Sequence, residues 1–537
     1  MVKFLKILLL LVSLFFFSAS VSYSLPLSTN GRWVVDAPTG DRVKLRCVNW
    51  ASHMQTMLAE GLDKKPLPDI VKSMSSLGFN CVRFTWATYM FTKPSNGNLT
   101  VDESFKRLGL LEAKAGIALN NPGLLKLTVL EAYEVVVDEL GKQGIMVILD
   151  NHVSKPQWCC GDGDDNGFFG DKFFDPKEWL QGLAIVANRF KGKPQVVAMS
   201  MRNELRGPHQ NKDVWYRYVR LGGETIHKLN PKLLVIISGL GYDTDLSFLR
   251  NVTLRTNFGN KLVYEGHWYA FTDGRRKDWV NKTPDQICAI TMKEFDDKLE
   301  FVTLGKNPIP LFLSEFGVDQ RGLNDGDNRF LSCFLAYASE KDLDWAMWAL
   351  QGSYYIKNDV ANFDETYGVL DKNWDQPRNP KFRERYRLIE DILQDPRSNL
   401  PRDQIIYHPL SGHCLLVDDK NSSNTQASDC LNRSHWSYAG NQTQVKLTGT
   451  SKCLKVEGNG LPVTVSDDCS SVWKVIADSN IRLATTDKEG RSLCLDYDLS
   501  KSSVVLSNEC LCADDESSNC KENPETQWFK LIETNVK

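Results

Sequence analysis

The stretch VVAMSMRNE, residues 196–204, joins an apolar run to two polar side chains, Asn203 and Glu204. Continuous apolar runs of this length are typical of parallel strands that are covered on both faces of a sheet. Polar residues that directly follow such a run lie at the carboxyl end of the strand, where α/β folds gather their functional groups. The stretch therefore predicts a buried parallel strand with a functional site at its end.

Runs of the same kind recur along the chain, with helical patterns between them. Strands are predicted at residues 43–49, 81–86, 145–150, 196–201, 233–238, 261–269, 310–316 and 344–350, and helices at 67–77, 127–142, 176–190, 214–229, 284–304 and 329–341. Eight alternating units favour a closed (β/α)8 TIM barrel, an α/β fold, over residues 25–400. An open doubly wound sheet is disfavoured because no glycine-rich phosphate-binding sequence follows the first strand. Residues 31–36 and 42–47 predict a hairpin, which we place at the barrel floor.

A second domain is predicted over residues 404–537, where the helical period fades and a repeat of about 40 residues begins. In each unit two cysteines are 16 residues apart and a tryptophan follows the second: Cys414, Cys430 and Trp436; Cys453, Cys469 and Trp473; Cys494, Cys510 and Trp528. Three such units fit an all-β trefoil in which each cysteine pair forms a disulfide. An insertion in the third unit holds Cys512 and Cys520, which could also pair locally.

The amino terminus predicts export. Lys3 and Lys6 precede an apolar run over residues 7–17 and then small residues, so residues 1–24 are predicted to be a cleaved signal peptide rather than a membrane anchor. Fourteen cysteines agree with an oxidising compartment. Six glycosylation sequons agree with the same route: Asn98, Asn251, Asn281, Asn421, Asn432 and Asn441. We expect a secreted, disulfide-bonded glycoprotein of the cell wall space (apoplast), with the vacuole left open as a destination.

A formal net charge of -3 provides no basic surface for nucleic acid and no polybasic arm for anionic lipid. A net charge this close to zero is compatible with uncharged ligands. The polar residues at the strand ends indicate the class of ligand. These ends carry Arg83, His152, Asn203, Glu204, His267, Tyr269, Glu315 and Trp348. Two carboxylates at the ends of the fourth and seventh strands face each other across the barrel mouth. Glycoside hydrolysis needs such a pair, one to protonate the leaving oxygen and one to act at the anomeric carbon.

Six segments carry a family resemblance. Residues 78–83, 147–152, 201–204, 264–269, 313–317 and 345–348 resemble, in the same order, family five of the glycoside hydrolases, the cellulase-like family of clan A. The chain is similar to plant-type members that have a C-terminal ricin B-like β-trefoil. The resemblance implies a retaining double displacement without a cofactor or a metal. By resemblance, the expected substrate is a β-1,4-glucan or a mannan, as polysaccharide or oligosaccharide.

The resemblance also implies roles for the residues. Glu204 would be the acid/base and Glu315 the nucleophile, with Arg83 and Tyr269 orienting Glu315. Asn203 would bind the sugar 2-hydroxyl, His152 and His267 would line the site, and Trp348 would be the sugar platform, although it could instead belong to the core. We expect a raised pKa for the acid and an ionised nucleophile beside Arg83. Leu205 departs from the family, which has proline there, and predicts an altered loop path.

The sequence leaves several alternatives open. The chain could be a catalytically silent, lectin-like carbohydrate-binding protein, or a transglycosylase. In the trefoil, only Asp496 keeps the ricin-like sugar-site pattern, and the glutamine expected two residues before each tryptophan is replaced. Residues 162–167 match half of a calcium loop but lack its last acidic ligand. Adjacent Cys159 and Cys160 predict bridges to Cys47, Cys81, Cys288 or Cys333 rather than to each other.

Overall fold

The structure, a computed structural model, describes residues 26–417, 423–440, 442–501, 503–512 and 523–537. The signal peptide predicted over residues 1–24 and the partner predicted for Cys512, which is Cys520, lie outside the described residues. None of the described helices combines the length and the hydrophobicity that crossing a membrane requires.

Eight parallel strands close into a barrel, as the sequence predicts. They are β3 (Arg46–Trp50), β4 (Cys81–Ala87), β5 (Met146–Val153), β6 (Val196–Ser200), β7 (Leu234–Ile237), β8 (Leu262–Tyr269), β9 (Leu311–Gly317) and β10 (Asp344–Met347). Each strand pairs with its neighbour in the chain, and β10 pairs with β3 to close the ring. All eight predicted strands are confirmed, and their side chains are almost entirely buried because the strands are covered on both faces.

Helices cover the outside of the barrel. They are α1 (Leu67–Ser76), α2 (Thr88–Thr92), α3 (Pro94–Gly97), α4 (Val101–Arg107), α5 (Leu111–Asn120), α6 (Val129–Lys142), α7 (Pro176–Arg189), α8 (Lys212–Leu229), α9 (Asp278–Asn281), α10 (Pro284–Lys298), α11 (Asp325–Lys341) and α12 (Phe382–Glu390). Short 3-10 turns lie at Pro122–Leu124, Ser247–Arg250, Gly259–Lys261, Thr272–Lys277, Glu300–Thr303 and Pro524–Gln527. Local sequence fixes where helices begin: Thr128 and Glu131 form a reciprocal capping box at α6, and Asp175 caps α7 just before Pro176.

A hairpin closes the floor of the barrel, but its strands differ from the prediction. Strand β1 (Leu27–Asn30) pairs with β2 (Trp33–Asp36), whereas the second predicted strand contributes only an isolated bridge from Arg42 to Val35. Residues 46 and 47 belong to barrel strand β3 instead, because the apolar run continues directly into the barrel. Leu27 and Val34 pack against the lower interior of the barrel, so the predicted position of the hairpin at the barrel floor is confirmed.

A second hairpin, β11 (Ser353–Lys357) with β12 (Val360–Asp364), follows β10 at the barrel mouth. Lys357 on this hairpin is buried, and its ammonium group lies 3.5 Å from the ring centroid of Trp158. Cation–π contact of this kind fixes the hairpin against the loop that follows β5.

The C-terminal domain consists mostly of antiparallel β-sheet. Its strands are β13 (Asp403–His408), β14 (His413–Val417), β15 (Thr425–Asp429), β16 (Trp436–Ser437), β17 (Lys446–Leu447), β18 (Cys453–Lys455), β19 (Leu461–Pro462), β20 (Thr464–Ser466), β21 (Lys474–Ile476), β22 (Arg482–Thr486), β23 (Ser492–Tyr497), β24 (Val505–Glu509) and β25 (Lys530–Thr534). The three predicted disulfides, each joining cysteines 16 residues apart, are confirmed. The tryptophan of each unit is buried: Trp436 and Trp473 belong to one apolar cluster, whereas Trp528 belongs to the cluster that continues into the barrel domain.

Candidate active site

The predicted site residues meet at the carboxyl end of the barrel. Glu315 lies within β9, and Glu204 lies in the loop after β6, where its backbone adopts a φ of 42°. A cleft of about 1040 Å³ opens above them. His152, Asn203, Glu204, His267, Tyr269, Glu315 and Trp348 all line this cleft, and Arg83 lies buried beneath it. The structure therefore brings together all eight predicted residues of the barrel.

The two carboxyl groups lie close to each other. One oxygen of Glu204, one oxygen of Glu315 and a ring nitrogen of His267 all lie within 4.8 Å of one another. The side chain of Glu315 is 7% exposed and that of Glu204 is 15% exposed. Both groups therefore open into the cleft while being largely withdrawn from water.

Donors surround Glu315. Arg83 donates from Nη1 to Oε1 at 2.9 Å, and the Tyr269 hydroxyl donates to Oε2 at 2.9 Å. His267 Nδ1 lies 3.7 Å from Oε2. Hydrogen bonds to an ionised carboxylate favour the charged form, so these contacts stabilise a negative charge on Glu315.

Glu204 has fewer donors to its carboxyl group. His267 Nδ1 and Glu204 Oε1 form a hydrogen bond of 2.9 Å. The backbone carbonyl of Glu204 accepts from Arg206 at 2.8 Å. Leu205, where the family has proline, is fully buried, and its carbonyl accepts from the backbone N–H of Tyr242 at 3.0 Å.

Burial dominates the electrostatics of both glutamates. It raises the pKa of Glu204 to about 7 and the pKa of Glu315 to about 7. His267 and Arg83 act on Glu315 in the opposite direction but do not offset burial. The raised pKa of the predicted acid agrees with the sequence-based expectation, whereas the pKa of Glu315 is higher than its contact with Arg83 alone suggests. Burial also lowers the pKa of His267 and His152, which favours neutral rings.

Asn203 is fixed by the same arginine. Arg83 donates from Nη2 to Asn203 Oδ1 at 2.9 Å, which orients the amide unambiguously because arginine can only donate. The amide nitrogen therefore points the other way, toward the cleft.

An aromatic wall borders the cleft. The rings of His152 and Trp348 stack, with centroids 5.4 Å apart and an interplanar angle of 17°. Trp158 meets Trp348 edge-on at 6.2 Å. Trp348 lines the cleft rather than belonging to the core alone, and it offers the apolar face that a sugar ring can cover.

Buried carboxylates beneath the site were not predicted. Asp150 Oδ1 and Glu265 Oε2 lie 3.0 Å and 3.5 Å from Arg83 Nη2, and Asp243 Oδ2 lies 3.6 Å from His267 Nε2. Burial raises the pKa of all three carboxyl groups. Asp150 and Glu265 occupy strand positions within segments that carry the family resemblance, so they were visible in the sequence, whereas Asp243 follows a short strand without any motif.

The structure corrects the prediction for Cys159 and Cys160. They are bonded to each other, Cys47 is bonded to Cys81, and Cys288 is bonded to Cys333. Cys47 and Cys81 lie opposite each other on neighbouring barrel strands, with Cα atoms 4.4 Å apart, so neither is available to the cleft. In the calcium-like loop, Asp164 forms an ion pair of 2.5 Å with Arg206.

In the C-terminal domain, Asp496 accepts from Asn508 Nδ2 at 3.0 Å and from Gln527 Nε2 at 3.1 Å. Gln527 stands directly before Trp528, one residue later than the position where the sequence pattern places it. The glutamine that the sequence prediction considered missing therefore reaches Asp496 from a shifted position.

A parallel (β/α)8 barrel with two facing glutamates at its mouth defines a glycoside hydrolase. Residues 48–353 match the model of the family described as cellulase (glycosyl hydrolase family 5). The chain belongs to this family.

Relatives agree with the assignment. A glycosyl hydrolase 5 family protein of Chamaecyparis obtusa is 46% identical over 530 residues, covering 96% of this chain and 94% of that protein. An endoglucanase of Paenibacillus polymyxa is 21% identical over 385 residues, covering 68% and 87%. The catalytic domain of the major endoglucanase from Xanthomonas campestris superposes with a TM-score of 0.52 at 21% identity, covering 68% of this chain and 98% of that domain, and supports the fold.

Proposed function

We propose that this chain is a secreted, retaining β-glycosidase that cleaves β-linked polysaccharide or oligosaccharide. The observation that carries the proposal is the separation of Glu204 and Glu315, whose nearest oxygens lie within 4.8 Å. Retaining enzymes hold their carboxyl groups about 5–5.5 Å apart, whereas inverting enzymes need about 6.5–9.5 Å to admit a water molecule. The short separation supports a covalent intermediate.

In the first step, a carboxylate oxygen of Glu315 forms a bond to the anomeric carbon, and Glu204 transfers its proton to the departing glycosidic oxygen as that C–O bond breaks. In the second step, Glu204 removes a proton from water, the water oxygen bonds to the anomeric carbon, and the ester to Glu315 breaks. Arg83 and Tyr269 stabilise the charge on Glu315 before attack and after release, through their hydrogen bonds of 2.9 Å.

A β-1,4-glucan is the first candidate substrate and a mannan is the second. Two curated relatives are named endoglucanases, and one solved neighbour, an endocellulase of Pyrococcus horikoshii, was studied with cellotetraose. The cleft of about 1040 Å³ and the aromatic wall that borders it are compatible with several sugar units.

The mechanism is tested with two alanine variants and azide. Glu315→Ala removes the nucleophile, so azide should restore activity on an aryl β-glycoside and yield the α-glycosyl azide. Glu204→Ala removes the acid/base, so azide should yield the β-glycosyl azide after the normal covalent step. Wild-type activity that survives in Glu315→Ala without azide would refute the assignment.

Product analysis separates hydrolysis from transglycosylation. Proton NMR of the first product formed from a cello-oligosaccharide should show the β-anomer, and a large excess of acceptor sugar reveals whether sugar competes with water for the intermediate. Reducing-end release from glucan and mannan panels identifies the backbone sugar. An initial α-anomer would exclude the retaining mechanism.

We further propose that the C-terminal domain is a ricin B-like trefoil whose third unit binds sugar through Asp496. Asn508 and Gln527 support this role because they orient the Asp496 carboxylate, as the acceptor of a sugar hydroxyl requires. Titration of mono- and disaccharides into Glu315→Ala and into Glu315→Ala/Asp496→Ala measures this site without turnover. Equal binding in both proteins would leave the domain with a structural role.

Secretion rests on residues 1–24 and on the sequons. Expression of the full chain in a plant cell line tests it, by amino-terminal sequencing of protein from the medium and by the loss of mass on removal of N-glycans. Retention of residues 1–24 in the cell-associated fraction would refute the proposal.

A further inference from the structure

The Cys159–Cys160 disulfide lies inside the catalytic cleft. Cys159 is buried, Cys160 is half-buried, and both line the cleft together with Asn203 and Glu204. One sulfur of each cysteine and one Glu204 oxygen lie within 4.8 Å of one another. The disulfide therefore lies next to the proposed acid/base and not at a distance from the catalytic centre.

The disulfide also faces the Asn203 amide. Asn203 Nδ2 lies 3.6 Å from Cys159 Sγ and 3.6 Å from Cys160 Sγ, and among the described residues these two sulfurs are its acceptors. Sulfur is a weak acceptor. The amide N–H groups thus have a fixed direction without a strong protein partner, and a sugar hydroxyl can replace the sulfurs at low cost.

Other contacts tie the disulfide loop to the backbone of Glu204. The Arg206 guanidinium donates to the Glu204 carbonyl at 2.8 Å and to the Gly161 carbonyl at 3.4 Å, and it pairs with Asp164 at 2.5 Å. Arg206 thereby connects the residue after the disulfide with the residue that carries the acid/base. The loop and Glu204 are held as one unit.

We propose that the Cys159–Cys160 disulfide is a positioning element of the active site, which leaves the Asn203 amide, oriented by Arg83, available to the substrate and closes the wall beside Glu204. This inference rests on the proposed function. Reduction would break the S–S bond with two electrons and two protons and leave two thiols that rotate independently. The wall would then admit water beside Glu204, and the Asn203 amide would lose its fixed surroundings.

The first test is the Cys159→Ala/Cys160→Ala double variant. Misplacement of a substrate-positioning group by about 1 Å costs up to about 100-fold in rate, so we expect kcat/KM on cello-oligosaccharides to fall by about 10- to 100-fold. Water beside Glu204 would relieve part of its burial and lower its pKa, which moves the alkaline limb of the pH profile to lower pH. A merely structural disulfide would change thermal stability without moving that limb.

The matched control is Cys288→Ala/Cys333→Ala, which removes a buried disulfide between α10 and α11, away from the cleft. We expect its kcat/KM and pH profile to equal those of the wild type even where its melting temperature falls. A Cys159→Ala/Cys160→Ala variant with wild-type kcat/KM and pH profile would overturn the proposal.

Reduction of the folded wild type tests the same proposal if the Cys159→Ala/Cys160→Ala variant does not fold. Dithiothreitol supplies the electrons and protons and closes to its own cyclic disulfide, and mass spectrometry after alkylation identifies the bridges that have opened. Activity should fall in step with alkylation of Cys159 and Cys160 in the wild type and in the Cys288→Ala/Cys333→Ala control. Full activity with both thiols alkylated would also overturn the proposal. A wild type that neither binds nor hydrolyses any β-glycan would instead overturn the proposed function, and this inference with it.

Discussion

Tyr269→Phe isolates one hydrogen bond to the proposed nucleophile. The Tyr269 hydroxyl donates to Glu315 Oε2 at 2.9 Å, and the tyrosine is 7% exposed, so water cannot readily replace the lost donor. A hydrogen bond to a charged group contributes about 1.5–3 kcal/mol. Because about 1.4 kcal/mol corresponds to a tenfold change, kcat/KM should fall by roughly 10- to 150-fold at neutral pH.

The sign of the pH effect follows from the same contact. The hydroxyl favours the ionised form of Glu315, so its removal raises the pKa of Glu315, and the acidic limb of the kcat/KM profile should move to higher pH by roughly 1 to 2 units. Steady-state kinetics on an aryl β-cellobioside between pH 4 and 9 measure both effects.

Tyr355→Phe is the matched control for this prediction. Its buried hydroxyl donates to the Ala59 carbonyl at 2.8 Å, outside the catalytic centre. We expect a lower melting temperature with an unchanged acidic limb. An acidic limb that stays in place in Tyr269→Phe, or that moves equally in Tyr355→Phe, would refute the role given to Tyr269.

Three further predictions follow from the site. Glu315→Gln removes a negative charge beside Glu204, so the pKa of Glu204 should fall below about 7, as carbon-13 NMR of labelled glutamate can show; an unchanged pKa would mean that the carboxyl groups do not interact. Trp348→Ala removes the stacking face beside His152 and should weaken oligosaccharide binding by about 1–3 kcal/mol, measured by calorimetry in the Glu315→Ala background; unaltered affinity would assign Trp348 to the core. In Arg83→Lys, a single ammonium group cannot donate to Glu315 and Asn203 in the fixed geometry of the planar guanidinium, so kcat should fall at least 100-fold. Near-normal turnover would contradict the proposal that Arg83 must contact both residues.

The barrel could be predicted because each of its strands is buried on both faces. An apolar run such as residues 196–200 has few alternatives once helical patterns flank it, and the strand end then locates Asn203 and Glu204. The predicted helix at residues 127–142 was also close to the observed α6, because Thr128 and Glu131 form a local capping box where that helix begins. The sequence was sufficient to predict these elements because burial patterns and caps depend on residues that are near each other in the chain.

Predictions failed where contacts between distant residues decide the outcome. Cys159 and Cys160 were expected to bond elsewhere, but the register of β3 and β4 pairs Cys47 with Cys81, and neighbouring helices pair Cys288 with Cys333. Asp243 gave no signal because its importance comes from burial next to His267, which is a property of the assembled barrel. In the C-terminal domain, the spacing of the cysteines alone predicted the three disulfides, whereas the approach of Gln527 to Asp496 depends on the path of the chain.

The roles proposed for the two glutamates, acid/base for Glu204 and nucleophile for Glu315, require that the pair hold a single proton before the first step. Two unit charges within 4.8 Å of each other, at an effective dielectric constant of about 20, repel by at least about 3.5 kcal/mol, so the two carboxyl groups lose their protons in separate steps. Burial raises the pKa of each carboxyl group, and the negative charge of Glu204 raises the pKa of Glu315 further, so loss of the first proton makes loss of the second harder. Arg83 and Tyr269 donate to Glu315 and therefore favour the negative charge on Glu315, which leaves the proton to Glu204. Repulsion therefore favours the state with one proton over the doubly ionised state, and the state with one proton is the one that the proposed double displacement requires.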